Sequence, residues 1–570
     1  MSGDGDRLPT RASSVSTRGN DPVVREDEAN LLFKSIDTCH HTGVPDLWHP
    51  SHIGLMITYA GVGVLHGAFP RTVYPYFRMF LNMDGYQVTA CASIIDMAWS
   101  FKIFFGLLSD GVPICGYRRR PYVLLGWLIC LAFLVVMATL PPAMPYFAKG
   151  EILGVADVRA RRIDNPHAAA DGTPYILYMM AASMGYVMAD VACDAAMVEL
   201  AQTEREDVRG HTQSWSYIVK STSASVTTGL VGFALNGAEY GGAFTWSMSF
   251  NALMSCLCLV VLAVLPAVWF FPDRRAPLDA PPLTTKLGEM YDICAQRAIW
   301  QTMWFHYSNT FFSDFGAAPS SVVASDWAKV EPINDSIFSM LSSALMAFGM
   351  CLTNWYFLDV DWRVIVVVTT LSYVVLDAAV SFLTIYAVVR NQWFYLGAPV
   401  LNSIPAGVRF VVTGFVIVEV ADMGHEGATY GLVTTVGNLA SPLAASISKV
   451  IDGSFQAYQA DIDRDTPAVR DQVAYTFGIM YLMKLMSLIT LVLLPAQKRE
   501  ARALKRDGGT YPWIGFWTLV VTGASLVFGV VTNLFTIFPS TKCLRLAGGP
   551  GCHRANNGTT RERGWLEWDV

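Results

Sequence analysis

The sequence predicts an all-α polytopic membrane protein built from two six-helix halves and one extra C-terminal helix. Three observations carry that expectation. Apolar residues fill 53% of the 570 positions and charged residues 15%, whereas about a quarter of a soluble domain is charged. The mean hydropathy is +0.37. Apolar stretches recur along the chain, each near the ~20 residues that cross ~30 Å of hydrocarbon. Finally, Val198-Glu199-Leu200-Ala201 and Val418-Glu419-Val420-Ala421 close apolar spans six helices apart, and each precedes a short polar loop and a glycine-bearing helix start.

Taken in order, residues 1–46 are polar and predict a disordered cytoplasmic N-terminal tail. They carry no signal-peptide pattern, so the first apolar helix is expected to direct insertion and leave the N-terminus cytoplasmic. Cys39-His40-His41 has no further ligands nearby and is read as incidental; neither metal nor cofactor is expected. Spans are predicted at 52–77, 87–108, 121–145, 174–199, 213–236 and 243–271, forming an N-terminal half over 47–271. A proline-rich cytoplasmic linker follows at 272–297. The second half, 298–496, holds spans at 298–323, 335–357, 363–388, 393–420, 428–451 and 473–496. A basic cytoplasmic loop (497–512), an extra helix (513–538) and an extracytoplasmic tail (539–570) complete the chain.

The first span contains Gly61-Val-Gly-Val-Leu-His-Gly67, which lacks the spacing and the βαβ setting of a dinucleotide loop. Gly63 and Gly67 instead predict a packing face of small residues. Between the second and third spans lies GLLSDGVPICGYRRRPY, Gly106 to Tyr122. Gly106, Asp110, Gly116, Arg118, Arg119 and Arg120 there are expected to form a gating loop. Glycine lets helix ends pack closely, the acid suits a helix N-terminus, and arginine grips carboxylates with two donors. Basic residues cluster here, at Arg274, Arg275, Lys286 and Arg297, and at Lys498 to Arg506, which puts all three loops on the cytoplasmic side. The loop from Lys149 to Asp171 carries four more on the opposite face. Sequons at Asn334 and Asn557 predict glycosylation outside, and Cys543 and Cys552 lie where a disulfide is permitted.

Ionisable groups at membrane depth are costly unless paired or hydrated, so they mark function. Those deepest in the spans are Asp96, Lys102, Asp190, Asp194, Lys220, Asp314, Asp377, Arg409 and Lys484. Asp190 and Asp194 share a helix face. Two carboxylates that close resist ionising together, which makes them the proton-coupling candidates. A Lys220–Asp194 pair is expected across a short loop. Asp96 and Lys102 are expected to find separate partners, and Asp377 and Lys484 to link their helices. Arg409 is the strongest candidate for an anionic substrate group.

At GLLSDGVPICGYRRRPY the chain resembles the folate–biopterin transporter family of the major facilitator superfamily. Met97 to Asp110, Asp190 to Gln202 and Arg209 to Trp215 support the resemblance, which spans roughly 50–500. The long polar N-terminus and added last helix are similar to members from kinetoplastid parasites. Ala98 stands where the family pattern places a proline before Trp99, which leaves the expected kink there without its residue. The resemblance implies two parallel six-helix repeats and uptake of folate, biopterin or related pteridines across the plasma membrane by proton symport. A pterin edge would meet a carboxylate and its ring would stack on an aromatic. The expected substrate-binding residues are therefore Arg409, Lys220, Lys102, Trp99, Asp96 and Asp314. The partners are the solute, protons and the bilayer; no basic patch with interleaved aromatics points to nucleic acid. A transporter of S-adenosylmethionine or another metabolite on the same scaffold, and a sensor that binds without transport, are the alternatives. The nucleophile, zinc and phosphate-loop motifs of enzymes do not occur, so an enzyme is not expected.

Overall fold

The computed structural model describes residues 46–50, 52–148, 161–201, 211–273, 283–357, 360–420 and 426–552. The expected disordered tail (but for its last residue), Cys39-His40-His41 and Asn557 lie outside the described residues, as does the Asp110 side chain. Thirteen long helices fall where thirteen spans are predicted. They are α1 Ile53–Phe80, α2 Gly85–Ser109 and α3 Arg120–Thr139, then α4 Thr173–Ala201 and α5 His211–Ala234. α6 Phe250–Phe270 and α7 Arg297–Ser313 follow. Next come α8 Pro332–Leu352 and α9 Trp362–Ile385, and α10 Gln392–Val420 and α11 Glu426–Asp452. α12 Pro467–Leu493 and α13 Pro512–Ile537 close the series. Among the described residues, ten stretches are long and apolar enough to cross a membrane by themselves. α5, α7 and α11 are not among them: α7 has 17 residues, and α5 and α11 carry many hydroxyl and amide side chains.

Local chemistry fixes the ends. Asp84 caps α2 and Gln87 completes a reciprocal capping box. Ser249 and Thr466 cap α6 and α12 more simply, each hydroxyl accepting from a backbone N–H of the first turn. Three details differ from expectation. α7 stops at Ser313 rather than near 323, and a separate helical segment resumes at Ser320; Gly316 and Pro319 break the run between. α1 extends to Phe80 through a π-helical stretch after Pro70. α2 tightens to a 3-10 helix over Met97–Phe101 although no proline stands there, so the irregularity expected beside Trp99 exists without its usual cause.

Helices α1 to α6 enclose one apolar core, which also takes in Ile537 of α13. α7, α9, α10, α11 and α12 enclose a second set of apolar clusters. At the α1–α5 crossing a methyl group on Gly63 would lie 2.3 Å from the Lys220 carbonyl, and one on Gly67 2.3 Å from that of Ala224. The small-residue face is therefore obligatory, and it brings Lys220 against α1.

The loop Gly111–Arg119 and the helix Lys498–Asp507 lie at one end of the bundle, here the basic end. At the other, the far end, the two groups of helices are tied together. Arg78 of α1 binds Asp326 at 2.5 Å, with both side chains almost fully buried. It also donates to Ser325, Gln459 and the Met83 carbonyl, each at 2.9 Å. Gln459 Nε2 donates to Asn82 at 2.6 Å. Arg71 binds Asp335 at 3.1 Å, and the Tyr74 hydroxyl donates to the Val330 carbonyl at 2.7 Å. Among the described residues, both ion pairs that join the two groups, Arg71–Asp335 and Arg78–Asp326, lie at this end.

Candidate functional site

Four charged residues from three helices meet inside the first core. Asp190 and Asp194 sit one turn apart on α4, Lys102 enters from α2 and Lys220 from α5. Lys220 Nζ lies 2.6 Å from Asp190 Oδ1. Lys102 Nζ lies 2.9 Å from Asp190 Oδ2 and 2.9 Å from Asp194 Oδ2. The Tyr59 hydroxyl of α1 donates to Asp194 Oδ1 at 2.9 Å.

Trp99 lies against this tetrad. Both ammonium groups are 4.8 Å from the centre of its ring, a distance at which the ring quadrupole attracts a cation. His66 meets the ring edge-on at 5.1 Å and Tyr186 at 6.0 Å. The Trp99 Nε1 and His66 Nδ1 atoms are buried without a hydrogen-bond partner. Unpaired polar atoms are costly in a dry interior, and these two, beside a charged cluster, are available to a polar ligand or water.

This arrangement corrects two expectations. Lys220 pairs with Asp190, not Asp194, because Asp190 is the carboxylate that faces α5. Asp190 and Asp194 are not two acids forced together: two ammoniums balance them, so like-charge repulsion is not what governs the pair. Asp96, by contrast, is exposed on α2 within electrostatic reach of Arg71.

A second polar group lies in the other set of helices. Arg409 Nη1 donates to Ser313 Oγ at 3.1 Å, and Lys484 donates to the Ser313 carbonyl. The Lys484 ammonium also sits 5.1 Å from the Tyr373 ring centre. Asp314 is exposed at the end of α7, within electrostatic reach of Arg409 and Lys484. The expected Asp377–Lys484 link does not form as a contact. Asp377 accepts from the Tyr481 hydroxyl at 2.7 Å instead, since Lys484 turns toward the unpaired carbonyl where α7 breaks.

At the basic end Arg119 donates through Nε and Nη2 to Glu199 Oε1, at 3.2 and 2.6 Å. Asp273 Oδ2 accepts from the backbone N–H of Arg119 and Arg120, at 3.1 and 2.8 Å, and so caps α3. Arg120 reaches the Phe271 carbonyl at 2.8 Å and lies over the Tyr117 ring. Gly116 has φ +78°, a turn conformation that favours glycine. Gly106 does not act as expected: a methyl there would meet only Val191 at an ordinary 3.7 Å. Glu419, the counterpart of Glu199, receives Arg502 at 2.7 Å.

Asn334 is buried in the first turn of α8 and donates to Gln392 Oε1 at 2.9 Å. The folded protein therefore does not present this sequon to a modifying enzyme. Cys543 and Cys552 are joined in a disulfide. Tyr59, Tyr373 and Ser313 were not singled out by the sequence. The sequence does carry a signal for Tyr59, which lies seven residues, two helical turns, before His66.

Residues 62–156 match the model of the BT1 family. A probable folate-biopterin transporter 4 of Arabidopsis thaliana is 25% identical over 169 residues, 30% of this chain and 29% of that protein. A folate-biopterin transporter of Synechocystis sp. is 24% identical over 381 residues, 64% of this chain and 68% of that one. The match thus spans less than a third of the first relative's length and about two thirds of the second's. A D-xylose-proton symporter structure superposes with a TM-score of 0.53 at 14% identity, covering 78% of this chain and 98% of that one. The fold is that of major-facilitator transporters, the resemblance to folate–biopterin transporters is borne out, and the proteins this chain matches are transporters rather than enzymes.

Proposed function

We propose that this multi-pass membrane protein is a secondary transporter of folate- or biopterin-type pteridines, working by alternating access and coupled to protons. One observation carries the reading: a neutral Lys–Asp tetrad inside the bundle, covered by an aromatic ring and flanked by two unpartnered ring nitrogens. A pteridine brings a flat ring for Trp99, and hydrogen-bonding edges for the carboxylates and for Trp99 Nε1 and His66 Nδ1. Lys102, Lys220 and Arg409 would take its anionic substituents. Asp190 and Asp194 are the proton-coupling candidates, one of which the proton would neutralise. Asp96 and Asp314, both exposed between helices, would extend the site toward each half.

The basic loops favour a cytoplasmic basic end, with the N-terminus inside. The disulfide beyond α13 fits an external far end. The plasma membrane is the membrane in which such uptake would serve the cell. The 1–46 tail, the 272–297 linker and the halves around it complete the proposed organisation.

Uptake of radiolabelled folate, biopterin and S-adenosylmethionine by a transport-deficient host tests the reading, with and without a protonophore. Saturable uptake of at least one pteridine that collapses with the proton gradient is expected. Uptake of S-adenosylmethionine alone would overturn the substrate. Binding without counterflow would make the protein a sensor.

A further inference from the structure

The four charged groups are not equivalent. The Asp190 side chain is 0% exposed and Lys220 14%, whereas Lys102 is 21% and Asp194 26% exposed. An ammonium lies within ion-pair distance of each Asp190 oxygen, 2.6 Å from Oδ1 and 2.9 Å from Oδ2. Among the described residues, Asp194 holds Lys102 and the Tyr59 hydroxyl alone. One ion pair is therefore withdrawn, and the other faces the accessible side.

We propose that the solute bound here carries a carboxylate, that Lys102 receives it, and that Asp194 takes up a proton as it binds while Asp190 stays ionised throughout. The inference rests on the proposed transport function and names its substrate class. The tetrad sums to zero charge. Adding an anion would leave an uncompensated negative charge in a medium of low dielectric, which is expensive. A proton on Asp194 leaves the cluster at plus one, the charge that one carboxylate neutralises.

A proton on Asp190 would do something different. It would strip the counter-ion from two ammoniums at once, one of them with no other acid in contact. After Asp194 is neutralised, Lys102 still has Asp190 at 2.9 Å and the Trp99 ring at 4.8 Å, so it stays positioned while one of its directions opens. The other groups facing the pair are Tyr59 and His66 from α1, Cys193 from α4 and Tyr217 and Lys220 from α5; none adds a second negative charge. The step balances for the carboxylate that Lys102 receives: it enters and leaves with one proton, while the second carboxylate of a folate is left to Arg409. The site therefore favours a pteridine bearing an acidic side chain over a neutral one, and ties proton uptake to that side chain alone.

The test is exchange of radiolabelled folate and of radiolabelled biopterin by the full chain in proteoliposomes. Wild-type folate exchange is expected to fall about tenfold or more between about pH 5.5 and about pH 7.5, with biopterin exchange nearly level. Asp194→Asn should hold folate exchange at its acid-side rate at both pH values and abolish gradient-driven accumulation. Lys102→Gln removes a cation from a charged cluster and could unfold the protein. The charge-neutral pair Lys102→Gln with Asp194→Asn avoids this, and should lose folate while keeping biopterin. Persistent pH dependence in Asp194→Asn, folate exchange by the double variant equal to that of Asp194→Asn, or equal pH dependence for both solutes would overturn the proposal. Wild-type exchange of biopterin but not folate would overturn it and leave the transport function standing. Exchange of neither would overturn both.

Discussion

Arg119 directs two donors to a single oxygen of Glu199, and its own backbone N–H is taken by Asp273. A lysine there would keep the charge and lose the fork. Arg119→Lys is therefore expected to lower transport several-fold without restoring the wild-type melting temperature. In a double-mutant cycle with Glu199→Gln, thermal unfolding in detergent should show a coupling of about 0.5–3 kcal/mol. A coupling near zero would reduce the arginine to a membrane-side anchor. The sequence marks Arg118, Arg119 and Arg120 as one basic unit. In the structure Arg119 meets α4 while Arg120 meets the end of α6, because residues entering a helix point in different directions. Which arginine faces the acid depends on where α4 crosses, and that is a tertiary fact. The same holds in the tetrad. Spacing shows that Asp190 and Asp194 share a face, but only the α1–α5 crossing at Gly63 decides that Lys220 meets Asp190.

At the scale of elements, α13 shows what hydropathy reveals and what it hides. Its length and apolarity are evident in the sequence. Its buried face is polar: Thr518, Thr522, Ser525, Thr532, Asn533 and Thr536 follow helical spacing and are turned inward. Thr518 accepts from Trp304 Nε1 at 2.9 Å, and Ser525 bonds with Tyr307. Lys449 of α11, almost fully buried, donates to Asn533 Oδ1 at 2.5 Å and Thr536 Oγ1 at 3.2 Å. The stripe is visible as a pattern; its partners are not, since they lie on helices remote in sequence. Asn533→Leu would leave the buried ammonium short of an acceptor and is expected to cost about 1–3 kcal/mol. Size-exclusion profiles after mild heating should show less monodisperse protein. Adding Lys449→Met removes the orphaned group and should restore most of the loss. If the double variant is no better than the single one, α13 is held by its apolar contacts rather than by this bond.

Across the whole molecule, the far end is closed by Arg78, which reaches from α1 to Asp326 and Gln459 on the other set of helices. Two acids outside the spans face this latch. Burial pushes Asp463 up to about 7, with Asp326 and Asp84 adding to the shift and Arg78 and Arg161 opposing it. Burial likewise pushes Asp84 up to about 6, against Arg78 and the N–H groups of Gly85 and Gln459, with Asp461 adding to the shift. When the far end opens and water enters, both should return toward the ordinary carboxylate value of about 4. Their affinity for protons is thus higher in the closed state. Closure is favoured most below about pH 4, loses support as pH rises from about 4 through about 6 to 7, and is least favoured above that. Tyr86, packed edge-on against Tyr458 across the latch, is a natural reporter. In a background with exposed cysteines replaced, a cysteine introduced as Tyr86→Cys should react slowly with a membrane-impermeant thiol reagent added to the far side at about pH 6. It should react faster at about pH 8, beyond the reagent's own pH dependence. Asp463→Asn should flatten that rise, and Arg78→Ala should make labelling fast at both pH values. Slow labelling after Arg78→Ala would mean that apolar packing, not the buried ion pair, holds this end shut.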